Sequence, residues 1–446
     1  MFDLPDGLKE KFERAAEILR SHDKFRVITH YDADGISAAA VLSRALIKAQ
    51  KGFHISFVHS FPDEIQEGLP LIFSDVGNAE LAKIAEVDEP IIVIDHHKVE
   101  KDVGEGRDDH VFINPHDYGI DGAQEVSGGS LAFILALTFD EKNWTKVIFG
   151  MAGAAADKQN IGGFKGLNKN IIDSAEEKGV LEKTVDLYID GDGVKDALMN
   201  ACDPYFPGVS GRERKIDHII ERLNIDSEAP VDEISKRKKR KLNSLLALSL
   251  IERDIPSQVI ENIQGPRYTS SNLDFDMDLL YKLLNSCSRS DNPGLGLSLC
   301  LGEERSLEKA KEIRKRYRKE MISKLHALED EGIEQKNNIQ YFFEEKKERK
   351  GELAGLGMLY IFDQSKPTFG ITKLEEDDRA DISARATKDL VEVGIDLGRL
   401  CNEAAGSIQG RGGGHDIAAG ATVPLGSLDV FLDRMDDEIG RRLDTV

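Results

Sequence analysis

Three short apolar runs each end in acidic or histidine side chains, and no other feature constrains the fold as tightly. Phe25–Thr29 leads into His30, Asp32, Asp34 and Gly35. Leu71–Phe73 leads into Ser74 and Asp75, and Pro90–Ile94 into Asp95, His96 and His97. Segments of helical period lie between them, such as Val41, Leu42, Ala45, Leu46 and Ala49. Strands alternating with helices predict an α/β fold with a parallel, doubly wound sheet. The carboxyl ends of such strands share one edge, so the three polar tips converge there. His30, Asp32 and Asp34 alternate along an extended segment and therefore share a face. Unpaired buried charge is costly, so carboxylates and imidazoles gathered at one edge point to a divalent cation. Asp and Gly after a strand are also ordinary turn residues. Repetition at three tips, with no Lys or Arg among them, favours the metal.

The chain has 446 residues, 40% of them hydrophobic, which suits two or three domains with real cores. No apolar run reaches the length of a membrane span, and the N-terminus lacks the basic and apolar regions of a signal peptide. Cys202, Cys287, Cys300 and Cys401 have no paired spacing. Such cysteines suit a reducing compartment, so a cytoplasmic protein is expected. The net charge of -22 speaks against phosphate backbones as partners on composition alone. Metal-bound carboxylates would weaken that objection, and Lys236–Lys241 is a local basic stretch. A solvated helix face explains that stretch equally well.

Further along, Ser127-Gly-Gly-Ser130 opens an apolar helix and can present backbone amides to a phosphate; plain capping explains it as well. Val147–Ala156 reads as a small-residue helix ending in Asp157, a fourth acidic tip. Residues 165–290 have mostly helical period, and 302–332 read as a charged connector helix. Asp190-Gly-Asp-Gly193 lacks the other positions of a calcium loop and reads as a turn. Phe164, Tyr205, Phe206 and Tyr268 are stacking candidates for which buried core is the commoner role. In the last hundred residues, 338–343, 358–362, 368–372, 381–384 and 417–423 read as strands. The run Gly412-Gly413-Gly414-His415 leaves amides open to an anion, and Arg385 and Arg411 offer forked donors. Together with the acidic edge, this predicts a phosphate-bearing substrate gripped between two domains.

The ordered set His30-x-Asp32-x-Asp34-Gly35, Asp75, Asp95-His96-His97 and Asp157-Lys158 resembles the four motifs of DHH phosphoesterases. Ser383-Ala-Arg385, Gly412-Gly-Gly-His415 and Ala418-Ala-Gly420 resemble the DHH-associated C-terminal domain. The pattern is most similar to the archaeal RecJ-like branch, a group linked to the GINS replication complex. The resemblance implies two Mn2+ or Mg2+ ions held by His30, Asp32, Asp34, Asp75, His96 and Asp157. Asp75 would bridge the ions and His97 would face the scissile phosphate, giving a catalytic set of His97, Asp75 and His30. Ser127, Arg385, Gly412, Gly413, Gly414 and His415 form the expected substrate-binding set. His30 stands where bacterial RecJ proteins tend to carry an acidic residue. Ile28 stands where small-molecule DHH enzymes carry a histidine, which favours the nuclease branch.

The expected division is a DHH domain over 1–195, a mainly helical insertion over 196–300, a connector helix over 301–335 and a smaller α/β domain over 336–446. The expected function is a metal-dependent exonuclease acting on single-stranded DNA or RNA, in replication or repair, with GINS as a partner and no membrane. The alternatives are a small-molecule phosphodiesterase (nano-RNase, cyclic dinucleotide phosphodiesterase or pyrophosphatase) and a non-catalytic replication scaffold.

Overall fold

The computed structural model describes residues 3–98, 107–187, 189–253, 255–261, 263–271 and 273–443. The chain begins with α1 (Asp6–Ser21), β1 (Lys24–His30), α2 (Ala33–Lys48) and β2 (Gly52–Val58). Then come β3 (Leu71–Ser74), the single turn α3 (Leu81–Ile84), β4 (Ile91–Ile94) and β5 (His110–Ile113). Helices α4 (Gly128–Phe139), α5 (Val147–Ala156) and α6 (Gly166–Glu177) follow. The next stretch holds β6 (Glu182–Leu187), α7 (Val194–Met199), α8 (Glu213–Leu223), α9 (Lys236–Ile251) and α10 (Ser257–Glu261). After it come β7 (Gln264–Thr269), α11 (Met277–Arg289), α12 (Pro293–Leu301) and the long α13 (Ser306–Glu331).

The chain divides into two compact units, residues 1–186 with 264–317, and 187–263 with 318–446. In the first unit the sheet is parallel throughout, in the order β2-β1-β3-β4-β5. Strand alternation decides which face each side chain serves. Val27, Ile72, Ile92 and Ile94 pack into the layer of α1, α2, α4 and α5. Ile28, Phe73, Val93, Leu71 and Ile91 pack with Leu81 and Ile84 of α3. Both faces are covered, as a parallel sheet requires. The strand order reverses between β1 and β3, so a crevice is expected at their carboxyl ends. The segment between 182 and 269 is not purely helical, because β6 and β7 pair as a separate two-stranded sheet.

In the second unit the last stretch contains β8 (Glu334–Gln335), β9 (Gln340–Phe343), α14 (Lys347–Tyr360), β10 (Thr368–Leu374) and β11 (Arg379–Arg385). It ends with α15 (Lys388–Glu392), α16 (Leu397–Gly406), β12 (Arg411–Gly414), β13 (Ala418–Pro424) and α17 (Leu428–Leu443). The sheet order is β12-β13-β11-β10-β9-β8. Glu329 of α13 accepts from the Tyr205 hydroxyl at 2.6 Å and pairs with Arg212 at 3.2 Å, tying the helices of 187–263 to the rest of this unit.

Two expectations need correction. Residues 358–360 finish a helix and are not a strand. The β-forming run Met358-Leu-Tyr-Ile-Phe is misleading because α14 turns back at Gly357, whose carbonyl accepts from the amides of Ile361 and Phe362. Gly412–Gly414, expected to leave their amides open to an anion, form with Arg411 an edge strand paired to β13. A Cβ at Gly412 would stand 2.3 Å from the Cys401 carbonyl oxygen, so packing against α16 demands glycine there. Tyr205, Phe206 and Tyr268 are buried, as the core reading expects. Among the described residues no helix is long and apolar enough to cross a membrane.

Candidate metal centre

The side chains at the strand tips meet at the switch point. His30 ends β1, and Asp32 caps α2 by accepting from the Gly35 amide at 3.0 Å. A Cβ at Gly35 would lie 2.1 Å from the His30 carbonyl oxygen, so glycine lets the helix start this close to the strand. His30 Nδ1 stands 2.8 Å from Asp32 Oδ2 and 3.8 Å from Asp75 Oδ2.

Asp34 lies in the first turn of α2 and is buried. Its carboxylate accepts from the Ser127 hydroxyl at 2.9 Å and from the amides of Gly128 and Gly129 at 2.6 and 2.9 Å. The N-terminus of α4 therefore holds a carboxylate of the cluster, a use for which exposed amides and the helix dipole are suited. Ser127, placed in the substrate-binding set by its sequence, is fully buried with its hydroxyl committed to Asp34.

Asp75 follows β3 with φ of 58°, in the left-handed region that non-glycine residues seldom adopt. Its amide donates to the Ile94 carbonyl at 2.9 Å, which sets the residue between the tips of β1 and β4. Its side chain is 1% exposed, and neither carboxylate oxygen accepts a hydrogen bond. Buried acceptors are almost always satisfied, so these two oxygens are the sharpest anomaly in the first unit.

His96 sharpens it further. Its Nδ1 donates to the Gly122 carbonyl at 2.6 Å, so Nε2 carries the lone pair in the neutral ring. That Nε2 faces Asp75 at 3.2 Å, Asp34 at 3.6 Å and Asp157 at 3.7 Å. A lone pair among three carboxylates is repulsive unless a cation or proton lies between them. Asp157 adds to the problem. It caps the C-terminus of α5, where the helix dipole disfavours negative charge.

Asp95 works differently from the other acids. It accepts from the Asn78 amide at 2.9 Å and from His97 Nδ1 at 2.7 Å. Asp95 thus orients His97, whose side chain is 45% exposed. The Asp95–His97 pair is a carboxylate–imidazole arrangement that fixes the tautomer. Asp95→Asn is expected to lower Mn2+ affinity about 10- to 100-fold, measured by a Mn2+ titration of both proteins. Equal affinity would contradict the orienting role.

The electrostatics follow the same division. Burial, then Asp34, Asp32 and Asp157, hold the Asp75 carboxyl well above the usual carboxylate range. Burial and Asp34 do the same to Asp157. Burial also raises Asp34, against the pull of His96. Asp32, despite its burial, is pulled down by His30. Burial alone would raise Asp95, but His97, His96 and the Asn78 amide together push it down to about 2. Burial disfavours the charged forms of His30 and His96, yet Asp32 and Asp157 respectively raise both pKa values.

Among the described residues three donor sets emerge: His30, Asp32 and Asp75; Asp34, His96 and Asp157; and Asp75, His96 and His97. The donors are carboxylate oxygens and imidazole nitrogens, a hard to borderline set suited to Mg2+ or Mn2+. The unsatisfied oxygens of Asp75 and the facing lone pair of His96 fit a cation held among them. The sequence gives no local sign of Gly122, Asn78 or residues 289–291, which the fold brings to the same place. Arg289 lies near enough to Asp32 to help stabilise its charge.

The second unit collects the remaining expected residues. Arg385 pairs with Ala418 and Gly414 with Ala419, on opposite sides of β13. The His415 amide donates to the Ala418 carbonyl at 2.8 Å. Arg385 and Gly412–His415 therefore gather at one end of the sheet. A Cβ at Gly413 would meet nothing within 4 Å, so its surroundings are open.

Comparison with known proteins bears on both units. Residues 24–156 match the model described as DHH family, N-terminal domain, and residues 337–441 match the DHHA1 domain. An uncharacterized protein of Methanocaldococcus jannaschii is 30% identical over 449 residues, covering 98% of this chain and 96% of its own. The single-stranded-DNA-specific exonuclease RecJ of Thermus thermophilus is 27% identical over 150 residues, which is 30% of this chain and 22% of that protein. Its crystal structure with Mn2+ superposes with a TM-score of 0.59 at 17% identity, covering 98% of this chain and 55% of that one. CDC45 from Entamoeba histolytica superposes with a TM-score of 0.60 at 11% identity, covering 97% and 99%.

Proposed function

The chain belongs to the DHH family as a RecJ-like member, and from that premise we propose that it is a metal-dependent exonuclease acting on single-stranded DNA or RNA. The observation that carries this reading is Asp75, with two buried, unsatisfied carboxylate oxygens between two donor sets. His30, Asp32 and Asp75 would hold one divalent cation. Asp34, His96 and Asp157 would hold a second, with Asp75 shared between the two. When bound, such ions would supply positive charge to offset the phosphodiester and to activate water. His97, steadied by Asp95, would exchange a proton at Nε2 with the phosphate or the leaving group. Gly128, Gly129 and Ser127 keep Asp34 from moving. In the second unit, Arg385 and the Gly412–His415 strand are proposed to bind substrate phosphate, Arg385 through its forked donors. Replication or repair is the setting this reading implies, with GINS as a partner; failure of GINS subunits to co-purify would count against that partner.

End-labelled single-stranded DNA and RNA, incubated with Mn2+ or Mg2+ and followed over time, test the activity. Progressive loss of terminal nucleotides is expected. No cleavage of any single-stranded oligomer with either ion would overturn the reading. The second reading is a scaffold without catalysis, favoured by the CDC45 likeness over nearly the full length of both chains. The complete donor set argues against it, because a scaffold has no use for unsatisfied buried carboxylates.

A further inference from the structure

Beside the metal cluster lies an aromatic pair that its chemistry leaves unused. Tyr31 sits between His30 and Asp32 and is half-buried. Its ring meets the His30 ring edge-on, with centroids 4.9 Å apart. On another side it packs against the His59 ring, with centroids 3.9 Å apart and planes 40° from each other. The Tyr31 amide donates to the Val58 carbonyl at 3.0 Å, so the tips of β1 and β2 bring the two rings together. His59 is not core, since its side chain is 64% exposed. The carboxylate of Asp291 stands 3.6 Å from His59 Nε2 and is itself 86% exposed.

An exposed ring packed at 40° against a second ring, itself between two candidate metal ligands, offers a flat surface beside the cluster. Aromatic faces of this kind hold nucleobases, because every base offers a π-face. Asp291 at the ring's edge can accept hydrogen bonds from the exocyclic amines of a stacked base. Resting on the exonuclease reading above, we propose that Tyr31 and His59 form a stacking platform for a nucleobase next to the scissile phosphate. The inner ring, Tyr31, sets the position of the outer one, and His59 makes the contact. The ligand class is a nucleotide at the end of a single strand. A phosphodiester without a base would lack this contact.

The test compares an intact single-stranded oligonucleotide with versions carrying one abasic residue at each of the terminal three positions, cleaved with Mn2+. For wild type, kcat/KM is expected to fall about tenfold when the stacked base is missing, the size of a typical base–aromatic contact. His59→Ala should bring intact and abasic oligomers to the same kcat/KM, and His59→Phe should restore the difference. A difference that survives His59→Ala overturns the platform. Equal rates for intact and abasic oligomers in wild type also overturn it, and leave the exonuclease reading standing. Cleavage of none of the oligomers overturns that reading itself, and the platform with it.

Discussion

Asp75→Asn is expected to lower turnover a thousandfold or more and, at the same time, to raise the melting temperature of the metal-stripped protein. The first effect would follow from losing the carboxylate that stands with His30 and Asp32 in one donor set and with His96 and His97 in another, since metal assistance supplies several kcal/mol of transition-state stabilisation. The second follows from the environment of Asp75. Its buried oxygens accept no hydrogen bond, and other carboxylates surround them. An amide at this position carries no charge to repel the surrounding carboxylates, and its NH2 group can donate to them, which is the source of the gain.

Stability should also depend on pH in a definite sense. Asp75 and Asp157 have raised pKa values, so the folded protein holds their protons more tightly than the unfolded chain does. Stability from this source is present at about pH 4 and declines as pH rises. The raised histidines His30, His96 and His97 act in the same direction, losing their contribution above about pH 6.5. Asp95, held at about 2, contributes throughout and adds no slope between pH 5 and 8. Metal-stripped wild type is therefore expected to melt lower at pH 8 than at pH 5. Added Mn2+ should remove the decline, and Asp75→Asn should flatten it. A metal-stripped melting temperature that rises with pH would contradict the charge assignment.

Gly153→Ala has the next largest expected effect, and two principles oppose each other there. Gly153 lies inside α5, where alanine is the better helix former by about 1 kcal/mol. A Cβ at this position would stand 2.0 Å from Asp34 Oδ1, closer than atoms can approach. The clash cannot be relieved cheaply, because Asp34 is held by Ser127, Gly128 and Gly129. Overpacking of this kind costs about 1–3 kcal/mol and should outweigh the helix propensity. The variant is expected to be less stable and to lose Mn2+ affinity about a hundredfold. A more stable variant with unchanged affinity would show that Asp34 is free to shift. The clash explains the glycine at 153; Gly150, one turn earlier, is required instead by the approach of Phe133 and Gly129.

The strand tips were legible because the chemistry is local. An apolar run followed by Asp or His needs no tertiary information, and parallel topology alone places His30, Asp32, Asp75 and His96 at one edge. Asp157 was legible as the end of an apolar helix. The partners that orient these groups were not. Gly122 holds His96 and Asn78 holds Asp95, and neither position carries a motif. Their roles arise from backbone carbonyls and amides, which every residue has. Residues 289–291 arrive beside β1 from a segment more than 250 positions later, with no periodic signal to announce them. The helix α14 was misread at its end because glycines at 351, 355 and 357 depress helical propensity. At least two of them answer to packing, since a Cβ at Gly351 would press on Arg385 and one at Gly357 on Phe362.

Calorimetric titration of the metal-stripped protein with Mn2+, run in parallel on wild type and Asp75→Asn, tests the Asp75-centred cluster most directly. Two ions per chain are expected for wild type, and Asp75→Asn should bind neither ion at comparable affinity while keeping its fold by circular dichroism. Wild type that binds no Mn2+, or a variant that binds both ions as tightly as wild type, would contradict it.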